Sequence, residues 1–212
     1  MKSRRTLLKT AALAAASAML AGVAPSVLAA PPAGEKFRRL SSPVATGSDG
    51  IEVLEFFWYG CPHCYQLEPS ITAWLKTRPA GVNFVRTPAA LNPVWENNAR
   101  GFYVVEQLGL LDVTHGPLFE AIHQRKERLF DQASLAAFYA KHGVKAENFN
   151  GLFQSFAVSA KVAQSRNLAI RYQLSGVPAI VVNGKYLVTG DTSRVIDVVQ
   201  ALVAREQGKP VR

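Results

Sequence analysis

The chain has 212 residues, of which 49% are hydrophobic and only two are cysteines. That size and apolar content suit one domain, or one domain carrying an insertion, with a core that needs no disulfide staples. Four of the 24 basic residues lie in the first 29 positions, so the formal charge of +9 drops to +5 beyond them, and the remaining Lys and Arg are scattered; this excludes the basic stripe with aromatic support that a nucleic-acid binder carries.

The first 29 residues read as an export signal. Lys2, Arg4, Arg5 and Lys9 form a basic n-region, a Leu/Ala run extends from Ala11 to Ala24, and Val27-Leu28-Ala29 fits a cut after Ala29. The apolar run is too short and too rich in Ala for a membrane span. Ser3-Arg4-Arg5-Thr6-Leu7-Leu8-Lys9 also resembles the twin-arginine motif, so both export routes stay open. The domain proper is expected over residues 30–212.

Lys36 to Leu40 reads as an edge strand, followed by a loop from Pro43 to Gly50. Ile51 to Trp58 is apolar, branched and aromatic, and predicts a buried strand. From Pro62 the spacing turns helical, with Leu67, Ile71, Trp74 and Leu75 on one face and Pro62 suited to the first turn. Gly81 to Arg86 is a second strand, which completes a βαβ unit. Between about residues 90 and 173 no strand signal occurs. Helices are predicted at Trp95–Leu108, Gly116–Arg125, Ser134–His142 and Val158–Tyr172, with Ser134 as an N-cap and Gly143 just past the end of its helix. This stretch reads as a helical insertion between two halves of an α/β core. Ala179–Val182 and Lys185–Val188 flank Asn183-Gly184, a strong hairpin signal. A last helix is predicted to be capped near Asp191 or Thr192, with Val195, Val199 and Leu202 on its apolar face.

The two cysteines stand at the strand–helix junction, in Cys61-Pro62-His63-Cys64. A bridge across so small a loop constrains the unfolded chain little, so the pair is poor as a staple. It is well placed for chemistry. Helix N-terminal N–H groups, the charge or donor capacity of His63 and the neighbouring Cys64 thiol all favour a thiolate at Cys61, and the thiolate is the attacking species in exchange. A structural zinc site wants four ligands. No other cysteine exists, and His115, His123 and His142 show no paired spacing. A c-type haem needs His directly after the second Cys, where Tyr65 stands. Phe56, Phe57, Trp74, Phe102 and Tyr103 read as core, whereas Trp58 and Tyr59 suit either core or site.

Glu55 to Tyr65, Phe149 to Ala169, Gly176 to Ala179 and Val182 to Tyr186 resemble, in order and spacing, segments of the DsbA family of periplasmic disulfide oxidases. The resemblance implies an α/β, thioredoxin-like fold with an inserted helical domain. It implies an enzyme, a thiol:disulfide oxidase that introduces disulfides into reduced, unfolded exported proteins. Residue by residue, it implies that Cys61 is the exposed nucleophile, Cys64 the buried resolving partner, and the two together the redox-active disulfide. Pro178 matches the cis-proline facing that disulfide, with Val177 beside it to bind substrate, although by itself Pro178 reads as an ordinary strand-start proline. Glu55 matches a buried acid that assists proton transfer. The family often pairs this acid with a lysine ahead of the next strand; here Pro79 occupies that place, with Arg78 beside it. The resemblance further implies a periplasmic monomer without bound cofactor or metal, reoxidised by a quinone-linked membrane partner of the DsbB type. Two rivals remain. An isomerase or reductase would be kept reduced, and exported isomerases usually add an N-terminal dimerisation domain for which Ala30 to Gly50 is too short. A peptide-binding chaperone would act without its cysteines.

Overall fold

The structure is a computed structural model that describes residues 37–47, 49–190 and 192–208. The export signal and Lys36 lie outside the described residues. Five strands form one mixed sheet: β1 (Phe37–Arg39), β2 (Ile51–Phe57), β3 (Val82–Pro88), β4 (Ala179–Val182) and β5 (Tyr186–Val188), in the order β1-β5-β4-β2-β3. β2 and β3 are parallel, joined by helix α1 (Pro62–Thr77), as the βαβ pattern predicts. β4 pairs antiparallel with both β2 and β5. Five helices lie in the chain between β3 and β4: α2 (Pro93–Gln107), α3 (Leu111–His123), α4 (Gln132–Ala140), α5 (Ala146–Phe153) and α6 (Phe156–Arg171). Helix α7 (Val195–Glu206) closes the chain.

Strand β2 is buried on both faces and its alternation sorts the core. Val53 and Phe57 face α1, in clusters shared with Leu67, Ile71 and Trp74 on one side and with Cys61 and Cys64 on the other. Leu54 and Phe56 face the opposite way, against Ala169 and Tyr172 at the end of α6. Glu55 falls on the α1 face between Val53 and Phe57 and is fully buried. The Phe57 ring lies edge-on to Tyr59, Phe102 and His115, which ties the sheet to α2 and α3. The hairpin between β4 and β5 turns on Asn183 and Gly184, both at positive φ (50° and 61°), the arrangement that Asn-Gly favours. A Cβ on Gly184 would overlap the Val44 carbonyl, so this turn also seats the loop after β1.

The structure departs from the sequence expectations in several places. Helix α3 begins at Leu111 rather than Gly116, so Gly116 and Pro117 sit inside it. Burial of Thr114, Leu118, Phe119 and Ile122 overrides those two helix breakers. Helix α4 is capped by Asp131, not Ser134. Ser134 is instead the third helical residue and completes a capping box with Asp131. Helix α5 has no counterpart among the predicted elements. It is a short segment anchored by Phe149 and Phe153, below the length at which periodicity is decisive. Helix α7 starts at Val195, after Arg194 and without a side-chain cap, rather than near Thr192; Asp191 lies outside the described residues. Phe56, Phe57, Trp74, Phe102 and Tyr103 are core residues, as expected.

Candidate active site

Cys61 is the N-cap of α1, with extended backbone (φ −83°, ψ 117°), and Pro62 opens the helix where its missing N–H is no loss. The residue before Cys61 has to be small, because a Cβ on Gly60 would overlap the Trp58 indole. That indole is held by a hydrogen bond from its Nε1 to Asn98 Oδ1 (2.8 Å) and stacks on Trp95 at 4.9 Å. Tyr59 is buried at 1% exposure, so it belongs to the floor of the site rather than its mouth.

The two thiols are unbridged and unequal. Cys61 is 8% exposed and Cys64 0%, so the first cysteine is less open than the sequence suggests but is the only one solvent can reach. The Cys61 sulfur accepts a hydrogen bond from the Cys64 backbone N–H (3.4 Å), and its S–H faces the Val177 carbonyl at 3.3 Å. The Cys61 pKa is lowered from 9.0 to about 6. The largest cause is the hydrogen bond from the Cys64 thiol, which outweighs burial; the N–H groups of Cys64 and His63 and the His63 charge add to it. Burial drives the Cys64 thiol the other way, far upward, reinforced by its bond to Cys61 and by the negative charges of Cys61 and Glu55. At neutral pH the pair therefore holds one thiolate and one thiol, the division of labour that exchange requires.

His63 is exposed and touches Gln66 Oε1 through Nδ1 at 3.3 Å. Its charge is the smallest of the causes acting on Cys61. His63→Ser is therefore expected to raise the Cys61 midpoint by less than about one unit and to weaken the oxidised protein as an oxidant. Titrating thiolate absorbance against pH checks this, and an unmoved midpoint would assign the whole effect to the helix terminus and Cys64.

The Val177-Pro178 bond is cis and brings Val177 against Cys61. Beside it opens a cavity of 490 Å³, lined on one side by His63 and Gln66 and on the other by Gly176, Val177, Pro178 and Gly190.

Beneath the cysteines, Glu55 meets a partner that the sequence does not reveal. Parallel register sets Arg86 of β3 beside Glu55 on the same face, with Nε 3.5 Å from Oε2. Neither the Pro79 position nor Arg78, which caps the end of α1, supplies this charge. Arg86 is committed more closely elsewhere: its Nη2 grips both oxygens of Glu68 on α1 (2.7 and 3.0 Å), and its Nε lies 2.9 Å from His115 Nε2. Neither Glu55 oxygen has a hydrogen-bond donor. Burial, aided by the nearby Glu68 charge and only partly offset by Arg86, raises the Glu55 pKa to about 8. Glu68 is only partly buried, and hydrogen bonds from His115 and Arg86, together with the Arg86 charge, outweigh desolvation and hold it below the usual carboxylate range. Among the residues singled out from sequence, Cys61, Cys64, His63, Glu55, Val177 and Pro178 all fall in this one region. Arg86, Glu68 and His115 join them without any local signal, since each is an isolated polar residue in an otherwise ordinary strand or helix.

The chain matches the DSBA-like thioredoxin domain family over residues 52–202. It is 38% identical over 208 residues to the thiol:disulfide interchange protein DsbA of Pseudomonas syringae pv. tomato, covering 96% of both chains. It is 43% identical over 155 residues to that of Pseudomonas aeruginosa, covering 73% of this chain and 74% of the relative. Among solved structures it resembles Pseudomonas aeruginosa DsbA (TM-score 0.77, 38% identity, 82% and 94% of the two chains). It also resembles the oxidoreductase DsbA of Xylella fastidiosa (TM-score 0.78, 33% identity, 84% and 98%). With its mixed five-stranded sheet, the thiol pair at the start of α1 and these relatives, the chain belongs to the DsbA family of thioredoxin-fold thiol:disulfide interchange proteins, and its chemistry is dithiol–disulfide exchange.

Proposed function

We propose that this protein is a periplasmic dithiol oxidase, exported by a signal over residues 1–29. It donates its Cys61–Cys64 disulfide to reduced, unfolded exported proteins as a monomer, and a quinone-linked membrane oxidase of the DsbB type restores it. The observation that carries this reading is the asymmetry of the two thiols: Cys61 caps α1 within reach of solvent and accepts the Cys64 N–H, while Cys64 is fully buried one turn in, an arrangement that favours a thiolate at the first and a thiol at the second. A substrate thiolate attacks the Cys61 sulfur, the Cys61–Cys64 bond breaks, and the electron pair leaves on the Cys64 sulfur. That buried sulfur takes a proton, which Glu55 supplies from below. A second substrate thiolate then attacks the substrate sulfur of the mixed disulfide, and Cys61 departs as a stable thiolate. The substrate is oxidised to a disulfide and the enzyme reduced to a dithiol. Val177 and Pro178 present an edge along which an extended peptide can lie beside Cys61. No helix among the described residues is long and apolar enough to cross a membrane.

The test is the equilibrium constant with glutathione. Stabilising the reduced thiolate makes the disulfide more oxidising, by about 30 mV per 1.4 kcal/mol. The expected result is a pair that glutathione reduces readily, with a potential well above the range of structural disulfides. A pair held oxidised against millimolar glutathione would instead favour a reductase, and refolding assistance that survives removal of both cysteines would favour a chaperone.

A further inference from the structure

His115 stands on α3, among the helices between β3 and β4, yet its ring packs edge-on to Phe57 and Tyr59, in the segment that leads from β2 to the cysteines. Its Nδ1 lies 2.8 Å from the Tyr59 hydroxyl. Its Nε2 lies 2.9 Å from a donor, Arg86 Nε, and 3.0 Å from an acceptor, Glu68 Oε1. A ring nitrogen carries either a proton or a lone pair, so Nε2 can satisfy only one of these neighbours at a time. Burial lowers the His115 pKa despite the help of Glu68 to the charged form, so the ring is neutral near pH 7 and the conflict is settled by its tautomer.

We propose that His115 is a positioning residue for the exchange reaction, a tautomeric switch that directs the Arg86 Nε–H toward or away from Glu55. With the proton on Nδ1, the ring donates to the Tyr59 oxygen and Nε2 accepts from Arg86 Nε, which turns that donor from Glu55. With the proton on Nε2, the ring donates to Glu68, accepts the Tyr59 hydroxyl proton at Nδ1, and leaves Arg86 Nε–H to face Glu55 Oε2, 3.5 Å away. The first arrangement suits a neutral Glu55 and the second a charged one. When Glu55 gives its proton to the Cys64 sulfur, the ring takes a proton at Nε2 and loses that on Nδ1 by exchange with solvent, so the ring stays neutral. Arg86 then closes on the new carboxylate. Below its midpoint Glu55 then regains a proton from solvent and the ring returns to the Nδ1–H form; reoxidation runs the steps backward, with Glu55 releasing that proton before it takes the one on Cys64. Arg86 from β3, Glu68 and Cys64 from α1, Tyr59 from the turn between β2 and α1, and Asp112 on α3 itself are the charged and titratable groups acting on this pair.

The inference rests on Glu55 as the proton carrier, and the test separates the two. Imidazole nitrogen shifts of His115 and the side-chain carboxyl shift of Glu55 are followed by NMR in the reduced full chain between pH 6 and 10. The His115 signals are identified by their loss in His115→Phe. The expected result is a Glu55 midpoint near 8, accompanied by conversion of Nε2 from the lone-pair to the protonated form, with Glu55→Gln locking the ring in the Nδ1–H form at every pH. His115→Phe keeps a ring in the aromatic cluster but frees Arg86 Nε for Glu55 alone, and should lower the Glu55 midpoint by about one unit. A Glu55 that titrates while His115 keeps one tautomer, or a His115 that still switches in Glu55→Gln, overturns the switch alone. A Glu55 that keeps one state throughout overturns both readings. Where the Phe variant fails to fold, the His115 signals are identified by elimination, as the set that remains when His63, His123 and His142 are replaced one at a time by Asn, so the wild-type measurement stands.

Discussion

Cys61→Ser is expected to abolish thiol–disulfide exchange, whereas Cys64→Ser should leave a protein that still attacks but cannot let go. The reason lies in the start of α1. Cys61 caps the helix, solvent reaches it, and the Cys64 thiol, aided by the N–H groups of Cys64 and His63, holds its sulfur as an anion near neutral pH. A serine hydroxyl in the same place is neither ionised nor able to form a disulfide. Cys64 lies one turn in, at 0% exposure; in the proposed cycle it is the sulfur that leaves when a substrate attacks Cys61, and the thiol that can return to Cys61 and expel a partner the substrate's second thiol has not released. Removal of Cys64 lets mixed disulfides accumulate on Cys61. Cys64→Ala, which unlike serine leaves no side-chain donor, also deletes the hydrogen bond that does most to lower the Cys61 pKa, so that variant should react best at a higher pH than the native protein. Limited alkylation of the reduced protein, with the label mapped to its residue, checks the order. Preferential labelling of Cys64 would reverse the assignment of the two sulfurs.

The reduced protein should be more stable than the oxidised one, against the usual effect of a disulfide. Folding lowers the Cys61 pKa from 9.0 to about 6. A group whose pKa is depressed by folding contributes stability that is full above the unfolded pKa and is lost as pH falls through the folded one. The contribution is thus complete above about pH 9, partial at pH 7 and gone below about pH 6. Closing the bridge removes the charge and forfeits it. After discounting for solvent screening, the gap should be about 1 kcal/mol near pH 7 and about 2–3 kcal/mol near pH 9. The small Cys61–Cys64 loop returns only a modest entropic benefit. Denaturant unfolding of both redox forms across this range checks it. A gap that does not widen with pH would mean that something other than the Cys61 thiolate sets the balance.

Most of this protein was legible wherever its signals are local. The strand from Ile51, the helical spacing after Pro62, the Asn183-Gly184 hairpin and the βαβ order all depend on residues within a few positions of one another, and each lies where the pattern placed it. The thiol pair was legible for the same reason, since a cysteine at a helix N-cap and another one turn later form one local unit. Helix α5 and the early start of α3 were not, because a few buried aromatics and aliphatics outweighed weak or contrary propensity. The charge beneath the cysteines was hidden more deeply. Arg86 reaches Glu55 through parallel strand register, Glu68 through the packing of α1, and His115 through the docking of a helix 29 residues further along the chain. A lone arginine in a strand and a lone histidine in a helix carry no mark of one another in sequence. Only close packing, which denies each of them water, obliges them to share protons, and so it was the tertiary structure that decided which groups surround Glu55.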